Sequence, residues 1–146
     1  MNLATCDRTI DAPVDIVWTL LTSADGLNAW MSVASEVDLR PGGSIRWTHD
    51  NGWVVAGTIQ EIVPMRRLVF TYGWETGGFP VPIDSSVVSI ELTALGDLTH
   101  VSVRHDGLTE PMAQQHAQGW ERFMDRLAAC AAGRAALPPT SREPRR

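Results

Sequence analysis

The sequence contains no lysine; its 12 basic residues are all arginine, against 17 acidic ones, for a net charge of −5. An acidic domain repels a phosphate backbone, so nucleic acid is not an expected partner. Arg142, Arg145 and Arg146 gather at the C-terminal end, where they read as a solvated tail. Gly42-Gly43 and Gly77-Gly78 are turns, because neither leads from a strand into a helix with the lysine a phosphate loop needs. Cysteine is scarce: Cys6 and Cys130 stand near opposite ends of the chain, with no CxxC pair and no His/Cys ligand spacing. They read as reduced structural thiols. HExxH, a carboxylate cluster and a histidine pair at i,i+4 on one helix are all missing, so neither a metal nor another cofactor is expected. GxSxG is missing, and neither cysteine has a histidine near it in sequence, so nucleophilic catalysis has no signature. No apolar run reaches the ~18 residues of a membrane span, and residues 1–10 are too polar for a signal peptide. The expected location is the cytoplasm, without membrane insertion.

What remains is the material of one ordinary domain: 146 residues, 44% hydrophobic and 20% charged. Such a chain buries a core without metals or disulfides. Residues 5–11 read as a first, edge-like strand. Pro13 then opens a helix carrying Val14, Val17, Trp18 and Leu21 at helical spacing. Ser23 or Asp25 can cap a second short helix with Leu27, Trp30 and Met31. From Glu36 the period becomes two. Ile45, Trp47 and His49 share one face of a strand that ends at the hairpin turn Asp50-Asn51-Gly52. Residues 53–63 form the next strand, with Gly57 inside it as a sign of a bulge or bend. After the turn 64–66, Leu68, Phe70, Tyr72 and Trp74 share a face. Residues 75–82, rich in glycine and proline, read as a loop. Strands 85–95 and 98–105 turn Val88, Ile90, Leu92, Val101, Val103 and His105 inward. Clean strands on short turns predict an antiparallel meander with one buried face.

The last element is a long helix, capped by Thr109 with Pro111 in its first turn and ended by Gly133. On a helical wheel Ala113, His116, Ala117, Phe123, Met124, Leu127 and Ala131 fall on the side of Trp120. One domain is expected over residues 1–133, with a disordered tail over 134–146 and no internal repeat. The fold class is α+β: a curved antiparallel sheet wrapped around a long C-terminal helix, with two short helices after the first strand.

The motifs carry a resemblance over nearly the whole chain, from about residue 5 to residue 132. Ile10-Asp11-Ala12-Pro13 followed by Val17-Trp18, then Pro41-Gly42-Gly43-Ser44, Gly57-Thr58-Ile59 and the stretch PMRRLVFTY from Pro64 to Tyr72 resemble START-like (SRPBCC, birch-pollen-allergen-like) domains. His116-Ala117-Gln118-Gly119-Trp120-Glu121, with Leu127 after it, resembles the last helix of the activator of heat-shock protein 90 ATPase homologue family. The resemblance implies a helix-grip fold with a hydrophobic cavity between sheet and helix. It does not choose a function, since members of that superfamily carry lipids, bind hormones, cyclise polyketides or stimulate a chaperone.

Candidate site residues follow from facing. Trp47, Phe70, Tyr72, Trp74 and Trp120 point inward, either lining a cavity for an apolar or planar ligand or packing as plain core. Trp18 and Trp30 pack helices. His116, on the apolar face of the last helix, can orient a ligand, act as a general base or simply bond to backbone. His49 and His105 have inward parity near strand ends; His100, Arg46 and Arg104 have outward parity. Glu61 shares a face with Trp53, Val55 and Ile59 if the strand is regular, and is turned away if a bulge intervenes. The expected ligand cavity is lined by Trp47, Phe70, Tyr72, Trp74, His105, His116, Trp120 and Met124, with the loop 75–82 as its gate and no catalytic residue assigned. The first reading is binding of an apolar or aromatic small molecule, lipid- or polyketide-like, without catalysis. The second is a co-chaperone-like interaction protein that stimulates a heat-shock protein ATPase. The third is a cyclase or dehydratase drawing on Glu61, Tyr72, His105 and His116.

Overall fold

The computed structural model describes residues 2–77 and 79–137. The chain runs β1 (Asn2–Ile10), α1 (Val14–Thr22), α2 (Ala24–Trp30), β2 (Ala34–Val37), β3 (Ser44–Thr48), β4 (Val54–Val63), β5 (Arg67–Thr76), β6 (Ser86–Leu95), β7 (Leu98–Leu108) and α3 (Glu110–Ala135). The strands form one antiparallel sheet in the order β1-β7-β6-β5-β4-β3-β2. Strands β3 to β7 follow one another in sequence, by short turns except for the longer connection 77–85 between β5 and β6, and β1 closes the far edge against β7. This is the expected helix-grip arrangement.

Local chemistry sets the boundaries. Pro13, at the N-cap of α1, has the extended backbone that a chain needs on entering a helix. Ser23, not Asp25, caps α2: its hydroxyl accepts the Gly26 N–H at 3.0 Å. Gly52 takes φ +88° in the β3–β4 hairpin turn, a conformation open to glycine without strain. Thr109 stands at the N-cap of α3, but its hydroxyl makes no capping bond. Helix α3 does not end at Gly133. It continues to Ala135, because Gly133 stays out of the left-handed conformation that terminates helices. Residues 138–146 of the expected tail lie outside the described residues. The expected loop 75–82 also begins later, since β5 carries its pairing through Thr76, opposite Val54.

The parity of β4 depended on a bulge, and the bulge lies at Gln60. Ile59 pairs with Phe70 and Glu61 with Val69, so two steps on β4 answer one on β5. Glu61 is therefore turned outward, where it meets Arg67 at 3.2 Å. Gly57 serves a different purpose. A Cβ there would lie 1.7 Å from the Thr71 carbonyl oxygen, so β4 and β5 approach too closely for any side chain.

The core lies between the inner face of the sheet and α1, α2 and α3. Helix α3 packs its backbone closely on β1 and β7, with no comparable approach to β3, β4 or β5 among the described residues. The gap on that side is filled by large rings, and there the packing opens. Cys6 and Cys130 are free thiols. No helix among the described residues is long and apolar enough to cross a membrane.

Candidate functional site

A half-open pocket of about 280 Å3 lies between one flank of α3 and the ends of β3 and β5. The helix side comes from a single stripe. Gln115, Gly119, Arg122 and Arg126 recur every three or four residues, with His116 and Phe123 beside them. The sheet side comes from Trp47 and His49 at the end of β3 and from Tyr72 and Trp74 on β5. Asp50, Asn51 and Trp53 extend the wall along the hairpin turn. Phe79 folds in from the β5–β6 connection to meet Trp53, Trp74 and His116 at ring-centroid distances of 5.0–5.3 Å.

Of the residues expected to line a cavity, Trp47, Tyr72, Trp74, His116 and Trp120 lie on this pocket. Phe70 does not; it borders a separate apolar void of about 10 Å3 deeper in the core. Met124 is fully buried, one helical turn past Trp120 and wholly enclosed by packing. His105 is also fully buried and lies behind Tyr72, its ring 4.3 Å away. Alternation told which way these side chains point. It did not tell how far the facing elements stand apart. His49, Trp53, Phe79, Gly119, Phe123 and the two arginines were not in the expected set. Phe123 was legible from the helical wheel and His49 from strand parity. Phe79 was not, because a loop has no period.

Three tryptophan–histidine pairs organise the polar side of the site. The Trp47 Nε1–H donates to His49 Nε2 at 3.1 Å, Trp74 Nε1–H to His116 Nε2 at 3.0 Å, and Trp120 Nε1–H to His105 Nδ1 at 3.1 Å. An indole can only donate, so the receiving nitrogen must present its lone pair. Each imidazole is therefore neutral, with its proton on the other nitrogen. His116 Nδ1–H donates to the Met112 carbonyl at 2.8 Å. His105 Nε2–H donates to Ser86 Oγ at 2.9 Å, and that hydroxyl donates to the Tyr72 carbonyl at 2.9 Å. Burial favours the same neutral states. Desolvation, reinforced by the proximity of His116, lowers His105 to about 3. Desolvation also lowers His49, as does Arg126 against the opposing effect of Asp50, and it lowers His116.

Two hydrogen-bond donors are left facing the pocket. His49 Nδ1–H has no protein partner among the described residues. The Tyr72 hydroxyl has as its polar neighbour the Trp74 indole, whose N–H is directed at His116. Burial raises the phenol pKa further above its ordinary range, so Tyr72 remains a neutral donor. The His49 ring is held between Trp74 and Phe123, each 5.3 Å away and within 28° of parallel. Trp74, His49 and Phe123 thus form a continuous aromatic stack along the pocket wall. No group of three or more potential metal ligands occurs among the described residues.

The fold is shared with solved structures. Protein MLL2253 from Mesorhizobium loti superposes with a TM-score of 0.80 at 20% identity, over 93% of this chain and 100% of that one. DynU16, a protein in the dynemicin biosynthetic locus, gives 0.76 at 24% identity over 88% of this chain; the match spans only 46% of DynU16. The Aha1 dimer from Colwellia psychrerythraea gives 0.75 at 19% identity, over 90% of this chain and 97% of that one. No curated protein matches the chain. The family model described as activator of Hsp90 ATPase homolog 1-like protein matches residues 11–132. With that match spanning most of the helix-grip domain, the chain belongs to the activator of Hsp90 ATPase homolog 1-like family.

Proposed function

We propose that the protein binds an apolar, planar small molecule in the pocket beside α3 and does not transform it. One observation carries this reading: the imidazole lone pairs of His49, His105 and His116 are each engaged by an indole N–H. A general base needs a free lone pair within reach of the substrate. The histidines instead hold the tryptophans in place, and the polar groups left to a ligand at depth are the His49 Nδ1–H, a donor, and the Tyr72 hydroxyl, a neutral phenol and too weak a base to take a proton from a substrate. This speaks against the cyclase or dehydratase reading, as does the outward position of Glu61 on the sheet. A pocket of about 280 Å3 is slightly smaller than the usual small-molecule site of about 300–1,000 Å3. A compact fused-ring or polyketide-like compound suits it better than a long-chain lipid. The shared fold of DynU16, from a biosynthetic locus, supports the same direction.

The test is titration with the uncharged dye N-phenyl-1-naphthylamine, followed by tryptophan quenching and native mass spectrometry. Saturable one-to-one binding with the dye recovered unchanged is expected. Failure of that dye and of a panel of neutral fused-ring compounds would refute the pocket reading. Recovery of a chemically altered compound would make the protein an enzyme. A second reading, interaction with an Hsp90-type ATPase, is favoured by the description of the family. It predicts capture of that chaperone by the purified protein and stimulation of its ATP hydrolysis.

A further inference from the structure

From the charges at the mouth of the pocket we infer that the natural ligand is an aromatic anion: a flat ring system carrying a carboxylate or similar acid group at its outer end. The inference rests on the pocket reading above and specifies the ligand class. Arg122 and Arg126 both border the pocket, one helical turn apart on α3. Their position alone would mean little on an exposed helix, where an arginine ordinarily pairs with a nearby carboxylate. Here the neighbouring carboxylates are engaged elsewhere. Arg8, reaching across from β1, makes ion pairs with both Glu121 and Asp125 on the other flank of the helix. Arg122 and Arg126 are left without an ion-pair partner among the described residues. The Arg126 guanidinium lies 5.7 Å from the centroid of Phe123, the ring that stacks on His49. The cationic rim and the aromatic wall of the pocket are therefore adjacent, in the order that a ring bearing an acid group requires. Asp50, on the β3–β4 turn, is the one carboxylate on the pocket wall among the described residues and opposes an anion. Two guanidinium groups against one carboxylate leave the mouth net positive on a molecule whose net charge is −5. Within the pocket, the Tyr72 hydroxyl and His49 Nδ1–H add donors suited to a ring oxygen.

The experiment compares two dyes of the same skeleton: 8-anilinonaphthalene-1-sulfonate, which carries an anion, and neutral N-phenyl-1-naphthylamine. Wild-type protein should bind the sulfonate more tightly at low salt, with the preference shrinking as salt is added. The double variant Arg122→Gln/Arg126→Gln should lower the ratio of the two affinities about three- to tenfold, the effect of two partly solvated ion pairs. Asp50→Asn should move the ratio the other way. An affinity ratio unaltered by all three substitutions overturns the anion inference while neutral-dye binding leaves the pocket reading standing. Failure of both dyes to bind wild-type protein overturns both. Far-ultraviolet circular dichroism and a urea melt on each variant separate a lost contact from a lost fold.

Discussion

Gly119 offers the sharpest separation of stability from binding. It lies in the middle of α3, a 26-residue helix, where glycine costs about 1 kcal/mol relative to alanine. A close neighbour would account for such a residue, but a Cβ built there meets nothing within 4 Å. The open space belongs to the pocket wall that Gly119 shares with His116, Arg122 and Phe123. Gly119→Ala should therefore stabilise the protein by roughly 0.8–1 kcal/mol, the full propensity difference with no steric charge against it. For a chain of this length that is a rise in melting temperature of about 3 °C, readable by calorimetry or circular dichroism. Gly119→Phe should retain wild-type stability to within about 1 kcal/mol while its ring occupies the pocket, weakening N-phenyl-1-naphthylamine binding more than tenfold. The reasoning is refuted if Gly119→Ala lowers the melting temperature, since the position would then be packed. It is equally refuted if Gly119→Phe folds and binds the dye as tightly as wild type.

Acid should weaken the fold through the buried histidines. His105 has a folded-state pKa of about 3 against about 6.5 when unfolded, so its stabilising contribution is complete above pH 6.5 and is lost as the pH falls toward 3. Between pH 7 and pH 5 the unfolding free energy should drop by about 2 kcal/mol from His105 alone, with His49 and His116 acting in the same direction. A urea midpoint that does not move over that range would contradict the neutral network. Trp120→Phe keeps most of the ring but leaves His105 Nδ1 without its donor, at a cost of about 1–3 kcal/mol in urea unfolding; a neutral effect would remove the pairing from the account. The Cys6 thiol, raised to about 12 chiefly by desolvation and further by Glu121, should react with a disulfide reagent only after unfolding. Rapid labelling of Cys6 in the native protein would show that the β1–α3 contact opens readily.

Much of the architecture was legible because it rests on local periodicity. Alternation placed Val88, Ile90, Leu92, Val101 and Val103 inside, and the wheel placed Trp120, Leu127 and Ala131 on the buried face of α3, as the structure has them. Turn chemistry found the hairpin at Asp50-Asn51-Gly52. Where a single residue changed the outcome, the pattern was insufficient. Glu61 faces outward because of a bulge at Gln60, and nothing about glutamine announces a bulge. Gly57 drew attention as a glycine, but its role is a close strand contact. Gly133 looked like a helix end and is an ordinary interior residue of α3.

The candidate site divides in the same way. Composition and periodicity alone determined that the domain is an acidic α+β unit with an aromatic-rich inner face toward one long helix. Those properties depend on residue type and on the repeat of each element, and both are written in the order of residues. Only the tertiary structure decided which rings border open space. That depends on α3 lying against β1 and β7 while standing off β3 to β5. It also decided that each buried histidine receives an indole N–H, a pairing across as many as 42 positions in sequence for Trp74 and His116. The same holds for Arg8, which engages two carboxylates of a helix more than 110 residues away, while Arg122 and Arg126 at the pocket mouth have no ion-pair partner among the described residues. Such pairings are set by the distance between elements in space, which no local pattern encodes.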